Sequence, residues 1–183
     1  AMICTVAWAW MAHRPITVSV ALEEIMPPNK NLPELSDAEI TLVLENDVRR
    51  MRIHSIKEVA LFTNVPKSIL GSEVELRFTD FPDTSESANY YSAKTKMQLA
   101  EKMSIPVCRD TIKYGMLKAR VIDRNHKPLP HYKISIAGMD MTTDENGNID
   151  TCIPYGNQQR SYVVMKDTLT DVGLASRLAI VVD

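Results

Sequence analysis

From residue 16 onward the hydrophobic positions recur mostly at every second residue, the pattern of strands with one buried face. Residues 16–22 (ITVSVAL), 39–44 (EITLVL) and 72–78 (SEVELRF) alternate most clearly. In the second run Ile40, Leu42 and Leu44 share a face, and in the third Val74, Leu76 and Phe78 do. Shorter runs at 51–55, 59–63 and 104–107 read as further strands. Residues 94–102 (KTKMQLAEK) fit a period of two through Met97 and Leu99, and a helical turn through Leu99 and Met103. After Tyr114-Gly115 a second series follows at 117–122, 132–137, 149–153, 161–165 and 178–182. The run 25–33 (IMPPNKNLP) holds three prolines and two asparagines and reads as a loop; Asn46-Asp47 reads as a turn. Many short strands without a long amphipathic helix predict an all-β sandwich or barrel.

The two series follow one order. Each has a strand, a loop ending Leu-Pro (Leu32-Pro33, Leu129-Pro130), a second strand, a hairpin, a third strand ending near a proline, and a fourth. Aligning Pro66 with Pro154 sets Leu61 opposite Ile149 and Val59 opposite Gly147. This predicts two copies of one sandwich unit, 15–113 and 115–183, joined near residue 114.

Within the second copy, V-x-D-x-N-x-x-P-L-P, then I-x-I, T-T-D-E-N-G-x-I and I-P, between Val121 and Pro154, resemble the carboxypeptidase regulatory-like domain. That family is a prealbumin-like (transthyretin-like) β-sandwich, an accessory module of bacterial surface proteins. The first half resembles it loosely and lacks the T-D-x-x-G turn. The resemblance implies two tandem prealbumin-like (Ig-like) β-sandwich domains. It also implies a habit of accompanying other domains, and the sequence as a whole reads as a non-catalytic structural or binding module of a bacterial envelope or membrane-anchored protein, with a protein partner. A fold does not by itself imply a reaction. One enzyme on this fold, the 5-hydroxyisourate hydrolase, carries a C-terminal Tyr-Arg-Gly-Ser, whereas this chain ends Ala-Ile-Val-Val-Asp.

The 183 residues suffice for such cores, and the formal net charge of −2 gives no global electrostatic case for nucleic acid. Three scattered cysteines (Cys4, Cys108, Cys152) match neither a disulfide framework nor a zinc site. Residues 2–12 (MICTVAWAWMA) are uncharged and precede His13-Arg14. They read either as the trimmed half of a membrane anchor or as an edge strand with Val6, Trp8 and Trp10 on one face; a signal-peptide remnant fits less well.

Little of the chain carries chemistry. Thr142 to Ile153 sets Gly147 at the sharp turn of a calcium-loop register, but the first and last ligand positions are Thr142 and Ile153. Asn146-Gly147 therefore reads as a hairpin turn. His13, His54, His126 and His131 lack metal-ligand spacing, and no G-x-S-x-G elbow occurs. Cys152 reads as a core residue, and Cys108 beside Arg109 is weak ground for a thiolate. No cofactor and no metal are expected.

Two surface features are candidates for interaction. Arg49, Arg50 and Arg52 crowd a hairpin tip and suit an acidic partner or anionic lipid. Phe81, Tyr90 and Tyr91 lie in one loop and suit a protein or sugar, or a loop folded back over a sheet edge. The alternatives are a carbohydrate-binding accessory module using Tyr90 and Tyr91, and a hydrolase whose site, around His54, Asp110 or Cys108, assembles only in space.

Overall fold

The computed structural model describes residues 14–82, 88–136 and 138–154, together with the strand backbones at 161–164, 167–170 and 177–181. The expectations for residues 2–12 and for Cys4 lie outside the described residues. The chain is all-β, and its only described helical turn is the 3-10 turn Lys67–Ile69. It divides into two compact units, one of Ala1–Ile25 with Glu34–Cys108, the other of Met26–Pro33 with Arg109–Asp183.

The first unit contains β1 (Pro15–Glu24), β2 (Ala38–Leu44), β3 (Asp47–Ile53), β4 (Ala60–Pro66), β5 (Glu73–Asp80), β6 (Ala93–Gln98) and β7 (Lys102–Val107). They form a three-stranded sheet ordered β4-β1-β7 and a four-stranded sheet ordered β3-β2-β5-β6. β1 runs antiparallel to β4 and parallel to β7. Val18 and Val20 of β1 and Ile105 of β7 meet Ile40, Leu42, Leu76 and Phe78 of the other sheet in one buried cluster. Alternation produced this result: each inward residue is apolar, and its neighbours point to solvent.

The second unit contains β8 (Tyr114–Ile122), β9 (Lys133–Ile136), β10 (Met139–Thr142), β11 (Asn148–Pro154), β12 (Ser161–Val164), β13 (Asp167–Thr170) and β14 (Arg177–Val181). Its sheets are ordered β11-β8-β14 and β10-β9-β12-β13. β8 runs antiparallel to β11 and parallel to β14. Buried residues come from both sheets, including Leu117 and Val121 of β8, Cys152 of β11, and Ile134 and Ile136 of β9. Replacing each of β1–β7 by the strand seven places later converts the first topology into the second, so the periodicity detected in sequence corresponds to one strand path followed twice.

Three expectations change. The ambiguous run at 94–102 is not helical: β6 pairs with β5, and β7 begins at Lys102. Asn146-Gly147 is not the turn of a hairpin, because it connects β10 and β11, which belong to different sheets. The run Met26–Pro33, expected to be a loop of the first unit, belongs to the second.

Candidate functional site

The outer face of the β3-β2-β5-β6 sheet collects the charge. Register sets Arg50 opposite Thr41, Thr41 opposite Arg77 and Arg77 opposite Lys94, a row across all four strands. At about 4.8 Å per strand the row is roughly 14 Å long. One row over, Val48, Val43, Glu75 and Lys96 align in the same way; on the other side Arg52 aligns with Glu39 and Thr79.

Part of the charge lies in two tiers, while Glu73 and Asp37, with side chains 71% and 43% exposed, stand at the level of the cations. Arg50, Arg52, Arg77, Lys94 and Lys96 have side chains between 50% and 64% exposed, whereas those of the central Glu39 and Glu75 are only 23% and 12% exposed. Short carboxylates lie under longer cationic side chains. Arg77 donates to Glu75, and Lys94 reaches the same carboxylate at 3.1 Å. The hydrogen bond from Arg77 lowers the Glu75 pKa, against an opposing desolvation by burial, and Lys94 adds to the lowering. The ionised form of Glu75 is favoured, and it pairs with both cations. Lys96 pairs with Glu73 at 3.3 Å, and Arg50 approaches Glu39 at 3.6 Å.

The three expected arginines do not form one cluster. Arg50 and Arg52 lie on this face, and Arg49 turns to the other side of β3. Its Nε donates to Asp47 at 2.7 Å, and its two terminal nitrogens donate to the carbonyls of Thr63 and Asn64 on β4. Asn64, at φ +57°, is an extra residue in β4, so Arg49 caps a β-bulge. Arg52 bonds both oxygens of Asp37 at 3.0 Å and sits 4.2 Å over the ring of Phe81.

Of the two readings for Tyr90, the exposed contact does not hold for this residue. It is 2% exposed, meets Phe78 edge to face at 6.3 Å, and donates its hydroxyl to Glu24 at 3.0 Å. Its N–H and that of Asn89 donate to Asp80. Tyr90 lies in the core, and Tyr91 and Phe81 lie at the surface. Sequence reasoning missed Arg77, Lys94 and Lys96. Their signal was present as polar positions in alternating runs, but only the strand register brings them beside Arg50.

The groups considered for catalysis have structural partners. His54 faces the Ser36 carbonyl through Nδ1 at 3.1 Å, and its N–H donates to Glu58. Asp110 accepts from the N–H of Ile112. Cys108 has its pKa raised by burial first and then by Glu24, the reverse of an activated thiolate. Arg109 is buried, donates to the Pro33 carbonyl and stacks on Tyr114. Among the described residues no three of His, Cys, Asp and Glu converge as metal ligands. None of the described helices is long and apolar enough to cross a membrane.

The Asp144 loop is a backbone device. One oxygen of Asp144 accepts from the N–H groups of Asn146 and Asn148, both at 2.8 Å. Those bonds lower its pKa. Asp123 does the same for Asn125 and Lys127, so D-x-N-x-x is used twice in the second unit. The carboxylate oxygens that a cation would need are engaged by the chain itself.

No family model matches the chain, and no curated protein does. Among solved structures, the shaft pilin spaA of Lactobacillus rhamnosus GG is similar with a TM-score of 0.34 and 9% identity, over 92% of this chain and 97% of that one. A streptococcal ancillary pilin gives a TM-score of 0.30 and 15% identity over 91% of this chain, which spans 62% of that pilin. A leucine-rich repeat protein of Bacteroides thetaiotaomicron gives 0.29 and 6%, over 92% of this chain and 26% of that one. Likeness at this level transfers no function.

Proposed function

We propose that the chain is a non-catalytic structural and binding module of the bacterial cell surface, and that the outer face of the β3-β2-β5-β6 sheet docks an acidic protein surface. The observation that carries the reading is the central row: exposed Arg50, Arg77 and Lys94 stand over the less exposed Glu39 and Glu75, whereas Lys96 and Arg52 pair with the exposed Glu73 and Asp37, so a partner reaching the centre of the face meets positive charge first. Four strands hold these groups in fixed rows, and a rigid platform lowers the ordering cost of recognition. The resemblance of residues 121–154 to the carboxypeptidase regulatory-like domain supports the cell-surface setting. A sugar-binding role through paired tyrosines has less support, because Tyr90 is in the core.

Titration of the intact chain with an oligoglutamate peptide tests the reading. The variant R50S/R77S/K94S removes the central row without touching the core. Binding should weaken at least tenfold in the variant, and equal affinity for the two proteins would overturn the assignment.

A further inference from the structure

Met26–Pro33 is a strap laid along the outer edge of β11, within the second unit. The Cys152 N–H donates to the Pro27 carbonyl at 3.2 Å, and the Thr151 hydroxyl donates to the Pro28 carbonyl at 3.2 Å. Pro28 has no N–H to return. The Asn29 side chain supplies the missing donor, giving its amide hydrogen to the Cys152 carbonyl at 2.7 Å. Asn29 also shapes the strap, since its side-chain oxygen accepts from Asn31 and its carbonyl from Leu32. Met26 and Leu32 are buried, and the Met26 sulfur lies 3.5 Å from the Cys152 sulfur. At the far end Asn31 reaches the Asp140 carbonyl and Arg109 the Pro33 carbonyl. This is strand addition in reduced form, with a side-chain amide in place of a backbone donor.

We propose that this seat on β11 is exchangeable, and that the partner which fits it is the Met26–Pro33 segment of a second copy of this chain. The complementarity is written in the segment itself: Met26 against Cys152, Asn29 against the Cys152 carbonyl, Asn31 against Asp140. A second copy presents the same groups, so the exchanged seat has the same bonds as the internal one. The strap's own bonds are the same in both states; what differs is the tether, which within one chain is the folded first unit on either side of the strap, so that exchange carries this unit along. Pro27, Pro28 and Pro33 keep a released strap extended, which removes part of the ordering cost of rebinding. Strap and seat are more than 100 residues apart in sequence (Asn29 and Cys152 by 123), so a chain refolding beside another copy finds either seat.

Disulfide trapping tests this in the full chain. Cys4→Ser and Cys108→Ser are made throughout. One copy carries M26C with Cys152→Ala; the other keeps Met26 and Cys152. They are unfolded together, refolded and oxidised with diamide. Exchange predicts a disulfide-linked heterodimer whose share rises with protein concentration. Adding N29A to the first copy should reduce that share. A control with K30C in place of M26C measures random encounter, and a heterodimer yield no higher than this control overturns the exchange. A single chain with M26C and Cys152 together should close an internal disulfide in dilute solution. Failure to close it in a chain with a native circular dichroism spectrum overturns the seat itself.

Discussion

Single residues fix the turns of this molecule, and two glycines show how differently. Gly147 (φ +75°) and Gly138 (φ +74°) both have left-handed backbones. A Cβ on Gly147 would stand 3.0 Å from the Val121 oxygen, the Leu129 nitrogen and the Pro128 side chain, whereas nothing lies within 4 Å of one on Gly138. G138A should cost about 1 kcal/mol for the backbone conformation alone. G147A should cost about 2 kcal/mol or more, because backbone atoms must also move. Urea unfolding of the two variants measures the difference, and equal losses would contradict the close approach. Beside it, Asp144 gives a pH signature. Its pKa is held below the usual aspartate range by the N–H groups of Asn148 and Asn146. A carboxylate with a depressed folded pKa stabilises above its unfolded pKa, and that contribution is lost as pH falls through the folded value. The midpoint of urea unfolding should therefore drop below about pH 4 in the parent. D144N should lose stability at pH 7 and show a smaller further drop on acidification; unchanged slopes would remove Asp144 from the acid response.

Among the elements, legibility follows the clarity of the alternation. β2 and β5 are paired on both sides and carry clean alternation, and the runs 39–44 and 72–78 match them within two residues. Edge strands divided: β3, β4, β7, β11 and β14 overlap the runs read at 51–55, 59–63, 104–107, 149–153 and 178–182, whereas β6, β10 and β13 were not read as strands. β10 and β13 gave no sequence signal, and β6 carried lysines where a central strand has apolar residues. The repeat was readable but one residue out over part of its length. Pro66 and Val65 match Pro154 and Ile153, but the bulge at Thr63-Asn64 shifts what precedes it, so buried Ala60, not exposed Leu61, corresponds to Ile149. Bulges leave no period to read. The strap was misassigned for a related reason: its partners Cys152 and Asp140 are more than 100 residues away, and prolines signal a loop whether or not the loop is docked. The β6 edge yields a prediction. Lys94 and Lys96 alternate with inward Thr95 and Met97 on a strand whose outer side has no neighbour in the sheet among the described residues. Charged edges oppose strand pairing between molecules. K94T/K96T should leave the unfolding midpoint within about 0.5 kcal/mol of the parent and raise light scattering on concentration. A variant that stays monodisperse would show that β6 is guarded by something other than its lysines.

At the scale of the whole molecule, one strand path serves two surfaces of different chemistry. The four-stranded sheet of the first unit carries five cations on its outer face, while the equivalent β9–β10 pair of the second carries Lys133, Ser135, Asp140 and Thr142. The chain as a whole is slightly acidic, at −2. Attraction of an acidic partner must then arise from local charge placement, against a weak global repulsion. Two variants of equal net charge separate these effects. R77E/K94E replaces two cations of the face with carboxylates, taking the net charge from −2 to −6. K127E/K133E makes the same change at exposed positions of the second unit and leaves the face intact. If local placement governs docking, the association rate for an oligoglutamate peptide should fall at least tenfold in R77E/K94E and about twofold or less in K127E/K133E. The parent rate should fall as salt shortens the screening length from about 10 Å at 0.1 M towards about 3 Å at 1 M, and the rate of R77E/K94E should rise under the same change. Equal losses in the two variants would make net charge the controlling quantity and leave the two-tiered face as ordinary surface.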